Sequence, residues 1–94
     1  MSVTMASVDL DLTPTAFDSV DCRARYNRRA KAVTLQASVS NAGTALIYAS
    51  SGTAKIELSA GASWTVRVYN LNTLRYASTV ASGDILTYAL HDED

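Results

Sequence analysis

Nine residues, Arg23-Ala-Arg-Tyr-Asn-Arg-Arg-Ala-Lys31, hold five of the eight basic side chains of this 94-residue chain. Cations around an aromatic ring suit a phosphate or RNA strand, because charge meets the backbone while the ring stacks on a base. Two other readings compete with that one. The run is either a solvated loop or a salt-bridging contact to an acidic partner surface, for which the tail Asp92-Glu-Asp94 of a neighbouring subunit is a candidate. Net charge near −1, with no basic surplus outside the run, ranks nucleic acid last and gives no pull toward acidic membranes. The contact residues expected from the run are Arg23, Arg25, Tyr26, Arg28 and Arg29. Five tyrosines outnumber the other aromatics, and tyrosine suits interfaces by its apolar body and polar tip. Tyr48, Tyr69 and Tyr76 join the expected contact set. They equally fit a sugar-binding face, or ordinary half-buried strand positions.

The remaining reactive residue types read as structural. His91 is the only histidine and follows the last apolar run beside three carboxylates, with no G-x-S-x-G elbow to supply a nucleophile. A solvated terminal histidine is the expectation. Adjacent ligands at His91 to Asp94 are poorly preorganised for a metal. Asp9 and Asp11 form a carboxylate pair without a cleft to raise either pKa, so both are expected at the surface. Cys22 beside Arg23 has a cation that would favour thiolate, but a small, partly buried filler is the commoner role. The glycines stand singly at turns, without a phosphate-loop pattern. No enzyme activity, cofactor or metal is expected.

The elements that must position these residues read as strands joined by glycine turns. Asn41-Ala-Gly43, Ser59-Ala-Gly61 and Ala81-Ser-Gly83 each precede an apolar or β-branched run. Val8, Leu10 and Leu12 alternate with Asp9 and Asp11 in a first strand at a sheet edge, where the two acids would discourage edge-to-edge pairing, and Pro14 ends it. Thr13 to Arg29 admits two readings: a short strand or irregular crossing, or one or two helical turns capped by Thr13-Pro14 with Phe17, Val20 and Ala24 on one face. Val33, Leu35, Ala37 and Val39 then alternate with polar residues, Leu46 to Ala49 is uniformly apolar, and Ile56 and Leu58 point inward. Trp64, Val66 and Val68 give the clearest amphipathic strand, with Trp64 as a core anchor. Asn70-Leu-Asn72 is a loop, Leu74 to Ser78 and Ile85 to Leu90 are strands, and residues 91–94 are an acidic tail.

Seven or eight short strands with closely spaced turns predict one all-β domain, an antiparallel two-sheet β-sandwich of jelly-roll type. A chain this short buries only about 60 to 65% of its unfolded surface. A lone cysteine cannot staple it, so a partner subunit is the expected supplement, a homo-oligomer with a trimer favoured. One cysteine, no signal-peptide pattern and no membrane-length apolar run predict a soluble product made in a reducing cytosol.

Arg28-Arg-Ala-Lys-Ala-Val-Thr-Leu-Gln36, Asn41-Ala-Gly-Thr-Ala-Leu-Ile-Tyr48, Ile56-Glu-Leu-Ser-Ala-Gly-Ala-Ser-Trp64, Asn70-Leu71 and Leu74-Arg-Tyr-Ala-Ser78 together resemble small tailed-bacteriophage virion proteins. Those share a phrase running basic, V-T-I-Q-N-x-G, turn, Ile-Tyr, L-x-A-G-x-S, apolar strand, Leu-x-x-Leu-Tyr-Ala. The likeness covers about two-thirds of the chain and departs at Ala37-Ser38, where the phrase places Asn-x-Gly sooner. It implies a non-catalytic β-sandwich subunit of the virion, assembled in the host cytoplasm, that decorates the capsid or forms a fibre-like part. No binding residues carry over, because the shared phrase is turn and core chemistry. A carbohydrate or receptor recognition module, using Trp64 and exposed tyrosines, is the alternative.

Overall fold

The computed structural model describes residues 3–23 and 30–91, with Val3 and Thr4 described by backbone alone. Eight strands form in chain order: β1 Val3–Asp9, β2 Thr15–Ala16, β3 Lys31–Ala37, β4 Ala45–Ala49, β5 Lys55–Leu58, β6 Ser63–Val68, β7 Leu74–Ser78 and β8 Ile85–His91. They make two four-stranded antiparallel sheets, ordered β1-β8-β3-β6 and β2-β7-β4-β5. The pairs β1 with β8, β2 with β7, β3 with β6 and β4 with β5 nest like one long hairpin. Rolling that ribbon so that alternate pairs land in opposite sheets is the jelly-roll topology, and it adds the pairings of β8 with β3 and β7 with β4.

Period-two patterning decides the inner faces. Val33, Leu35 and Ala37 of β3, Leu86 and Leu90 of β8, Ala45 and Ile47 of β4, and Leu58 and Leu74 from the second sheet form one buried cluster. Trp64, Val66 and Val68 of β6 also face it but stay half-buried at the sheet edge. Phe17 closes the gap between the sheets beside β1 and β2, with ring centroids 4.6 Å from Tyr76 and 5.8 Å from Tyr88.

Several expectations shift. The strand that was to carry Leu12 inward stops at Asp9, and Leu12 is 59% exposed. The Asp11 carbonyl accepts the Ser78 amide at 2.7 Å and its carboxylate the Thr13 amide at 2.8 Å, which turns the chain toward the second sheet. Val39 likewise lies beyond β3 and is exposed, as is Ile56 on β5, an edge strand with nothing beyond it. Between Thr13 and Arg23 the crossing reading holds: a two-residue strand, then an irregular stretch anchored by buried Phe17 and Cys22, without a helix. Ala24 lies outside the described residues. The Asn70-Leu-Asn72 loop is a single 3-10 turn, Leu71–Thr73, with Leu71 buried.

One end of the sandwich is tied by a buried acid. Asp84, 2% exposed, accepts the amides of Ala42 at 2.8 Å and Gly43 at 2.9 Å and the Ser78 hydroxyl at 2.9 Å. Beside it the Asn41 side chain imitates a strand residue, accepting the Ile85 amide at 2.8 Å and donating to the Ile85 carbonyl at 2.9 Å. The β3–β4 and β7–β8 connections are thereby locked together across the two sheets. Burial pushes the Asp84 carboxyl upward, but the two amides and the hydroxyl outweigh it and hold it below its ordinary value. Gly43 has no room for a side chain: a Cβ there would stand 2.5 Å from Thr79 Oγ1, which accepts the Thr44 amide, and 2.9 Å from Val80 Cγ1.

Asp84→Asn presents an amide where two backbone N–H groups need acceptors, and should cost about 2 to 3 kcal/mol in urea unfolding. Because the native carboxyl titrates lower than the unfolded one, its stabilisation is complete above about pH 5 and is lost as pH falls through the native value. The wild type should lose stability between about pH 5 and 2 more steeply than Asp84→Asn. Equal pH slopes would remove Asp84 as the acid-sensitive group. Gly43→Ala should cost about 1 to 3 kcal/mol through the Thr79 clash.

Candidate functional site

The opposite end carries the charged and aromatic residues. Asn70 organises it: its Oδ1 accepts the amides of Val20 at 3.0 Å and Asn72 at 3.1 Å, and its Nδ2 donates to Ser19 Oγ at 2.9 Å. The Leu71 amide donates to the Val20 carbonyl, and the Cys22 amide donates to the Tyr69 carbonyl at 2.8 Å. The start of the basic run is thus stitched to the β6–β7 loop, and the Lys31 amide returns to the Cys22 carbonyl at 2.6 Å where β3 begins. A depression of about 410 Å³ results, lined among the described residues by Asp21, Arg23, Tyr69 and Asn70.

Within it Asp21 and Arg23 form a fork. The Arg23 Nε donates to Oδ1 at 3.0 Å and its Nη2 to Oδ2 at 2.9 Å, while the Arg23 amide also donates to Oδ1. Those bonds hold the Asp21 carboxyl down at about 2 and push the guanidinium value up. Both side chains are about half exposed, so the pair fixes geometry rather than adding much stability. Tyr69, 60% exposed, stands beside the fork with its ring available. A bidentate carboxylate or phosphate would have to displace Asp21 to engage Arg23 directly.

The structure brings Arg23 and Tyr69 together and places Tyr48 and Tyr76 elsewhere. Arg25, Tyr26, Arg28 and Arg29 lie outside the described residues. Tyr76 faces inward against Phe17, and burial raises its phenol, followed by the charges of Asp18, Asp11 and Asp9. Tyr48 lies on the second sheet, with the Arg75 guanidinium 5.2 Å from its ring centre. Arg75, which sequence reasoning did not single out, donates to the carbonyls of Ala49 at 2.8 Å and Gly52 at 2.7 Å and braces the β4–β5 turn. Its signal was faint: one arginine opposite a tyrosine on the neighbouring strand.

A second concavity opens where edge strands β5 and β6 leave the sandwich uncovered. This cleft of about 290 Å³ is almost wholly apolar, with Ile47, Leu74, Ile56 and Trp64 in its walls and Tyr48 and Lys55 at its lining. Trp64 therefore anchors the core only in part and turns surface into the cleft.

No protein-family model matches this chain, and no curated protein or solved structure shows significant similarity to it. The geometry must speak for itself.

Cys22 is fully buried, its thiol donating to the Val20 carbonyl at 3.2 Å, and burial followed by the Asp21 charge raises its pKa. The thiol is a filler, as expected, but wholly rather than partly buried, and not an activated nucleophile. His91 is half-buried within β8, its Nε2 3.0 Å from Thr34 Oγ1, a correction to the solvated terminal histidine expected. Asp9 and Asp11 are both exposed. Among the described residues no three His, Cys, Asp or Glu side chains gather as a metal site. Native protein should resist thiol labelling at pH 8 for as long as the fold is closed and react at the rate of a free thiol in denaturant. Rapid native labelling would contradict the buried position of Cys22.

Proposed function

We propose that this chain is a non-catalytic structural subunit of a tailed-phage virion, a capsid-decorating or fibre-like protein that binds the particle through its charged end. The observation that carries the reading is the division of labour between the two ends of the sandwich. Asp84 ties one end into a rigid knot, whereas the other displays the Arg23–Tyr69 depression, directly continuous in sequence with Arg25, Tyr26, Arg28 and Arg29. A small jelly-roll domain with a one-sided cluster of arginine and tyrosine suits docking onto an acidic protein shell, since such contacts set orientation and association rate. The likeness to phage virion proteins across residues 28–78 supports the same conclusion.

Replacing Arg23, Arg25, Arg28 and Arg29 together by alanine should weaken binding to purified particles at least tenfold and flatten its salt dependence between about 50 and 500 mM. The measurement is co-sedimentation with the particle. Unchanged affinity would sink the assignment of this end.

The cleft at Trp64 favours a second reading, a carbohydrate or receptor recognition module. A half-exposed tryptophan near a tyrosine in an open apolar cleft is suited to stacking on a sugar ring. Titration with oligosaccharides should then shift or quench the emission of the single tryptophan, and Trp64→Ala should abolish binding. A flat titration leaves the virion reading alone.

A further inference from the structure

Four strands form the sheet edges, and three of them are blunted. β2 is two residues long and directly follows Pro14. β5 carries Lys55 and Glu57 within four residues, and β6 carries Arg67, whose Nη1 reaches the Ala30 carbonyl at 3.3 Å. Short length, proline and charge are the devices by which sheet edges avoid pairing with another chain. β1 has only one of them, the charge of Asp9 at its last position. Its seven residues, Val-Thr-Met-Ala-Ser-Val-Asp, contain no proline, glycine or cation, and they pair with β8 in seven unbroken register steps without a bulge. Of the two acids expected to protect this strand, Asp11 lies beyond its end with its carboxylate turned to the Thr13 amide, and Asp9 is the last residue.

The direction of the free backbone groups follows from the register. The Leu10 amide donates to the Asp84 carbonyl at 2.9 Å, one step past the Asp9 to Ile85 pair. Strand groups alternate, so the even positions Thr4, Ala6 and Val8 spend their N–H and C=O on β8, while Val3, Met5, Ser7 and Asp9 turn theirs to the open edge. We infer that β1 pairs antiparallel with β1 of a second copy of this chain across a two-fold axis, joining the two outer sheets into one of eight strands.

One register satisfies the constraints best. Outward-facing odd residues must meet odd residues, and full overlap of residues 3–9 requires paired numbers to sum to twelve. Val3 then opposes the partner's Asp9, Met5 opposes the partner's Ser7, and Ala6 meets the partner's Ala6 on the axis. The four odd pairs exchange about eight hydrogen bonds. No like charges are opposed, because the two Asp9 side chains sit at opposite ends of the ribbon, about 20 Å apart. Met5, 66% exposed on the outer face, gains a cross-strand neighbour. The contact is self-complementary and uses up the one open edge, so it closes at two copies instead of growing into a fibre. It goes beyond the particle-binding reading and does not depend on it.

Light scattering after size exclusion, with hydrogen exchange on the same samples, tests the inference on the intact chain. The wild type should have twice the 10.0 kDa chain mass at tens of micromolar. Amides of Met5 and Ser7, which point away from β8 and meet no other strand among the described residues, should exchange slowly. Ser7→Pro removes an outward donor and the Ser7–Thr87 hydroxyl contact but leaves the backbone bonds to β8 in place, and Met5→Lys adds an edge cation without touching the backbone. Both should give monomers with wild-type circular dichroism and fast exchange at position 5 or 7, with the dimer dissociation constant raised at least about tenfold. A wild-type monomer, a trimer, an open polymer, or a dimer unaffected by Met5→Lys would each overturn the inference. Loss of particle binding in the arginine variant with the dimer intact would separate the two conclusions.

Discussion

The fold depends on a carboxylate that water does not reach. Removing a charged group from water is expensive unless donors replace the lost solvent, and Asp84 meets that demand with two backbone amides from the β3–β4 connection and a hydroxyl from the end of β7. A carboxylate is the one common side chain with two acceptor oxygens and no donor to misplace, so it satisfies three converging N–H and O–H groups at once. Ala42 and Gly43 lead from the first sheet into the second, Ser78 ends the last strand of the second, and Asp84 directly precedes β8 of the first. The same interaction therefore closes the crossover end of both sheets and fixes where β8 starts.

That start matters because the topology is non-local. β8 lies between β1 and β3, so the central pairing of the first sheet cannot form until the last strand arrives, and β1 has no other partner strand among the described residues. Such pairings close long loops before their contacts repay the entropy, which makes jelly rolls slow to fold. Asp84 and Asn41 act at the step that matters: each grips a residue more than forty positions away and sets the β3 and β8 registers together. A one-residue slip there would turn Leu86 and Leu90 out of the core.

Much of this was legible in advance because period-two alternation and glycine turns are local signals. They identified β3, β6, β7 and β8, the inward set Val33, Leu35, Ala37, Val66 and Val68, and the sandwich class. What failed was local too, but at strand ends: Leu12, Val39 and Ile56 continue an alternation that the backbone abandons or the second sheet does not cover. Trp64 was legible as inward-facing, not as half-exposed, since exposure at an edge is set by what the neighbouring sheet lacks. The Asp84 cradle gave no pattern at all, because its donors come from 41 to 42 positions away and from Ser78. The candidate site was legible as a composition, arginine with tyrosine, while the Asp21 fork and the stitching by Asn70 are products of the fold.

The two ends and the edges obey a common economy of exposed backbone. At the knotted end the loops satisfy their amides internally, through Asp84, Asn41 and the Thr79 hydroxyl, and leave small or apolar side chains outside. At the other end Asn70 and the backbone bridge between Asp21 and Asn70 serve that purpose, which frees Tyr69 for contact rather than for structure. Along the edges, proline, shortness and charge do the work on β2, β5 and β6. β1 is where this accounting stays open, with four residues whose N–H and C=O groups find no partner strand among the described residues. A domain this small has little core to spare, so stability gained by closing that last edge is worth more to it than to a larger one.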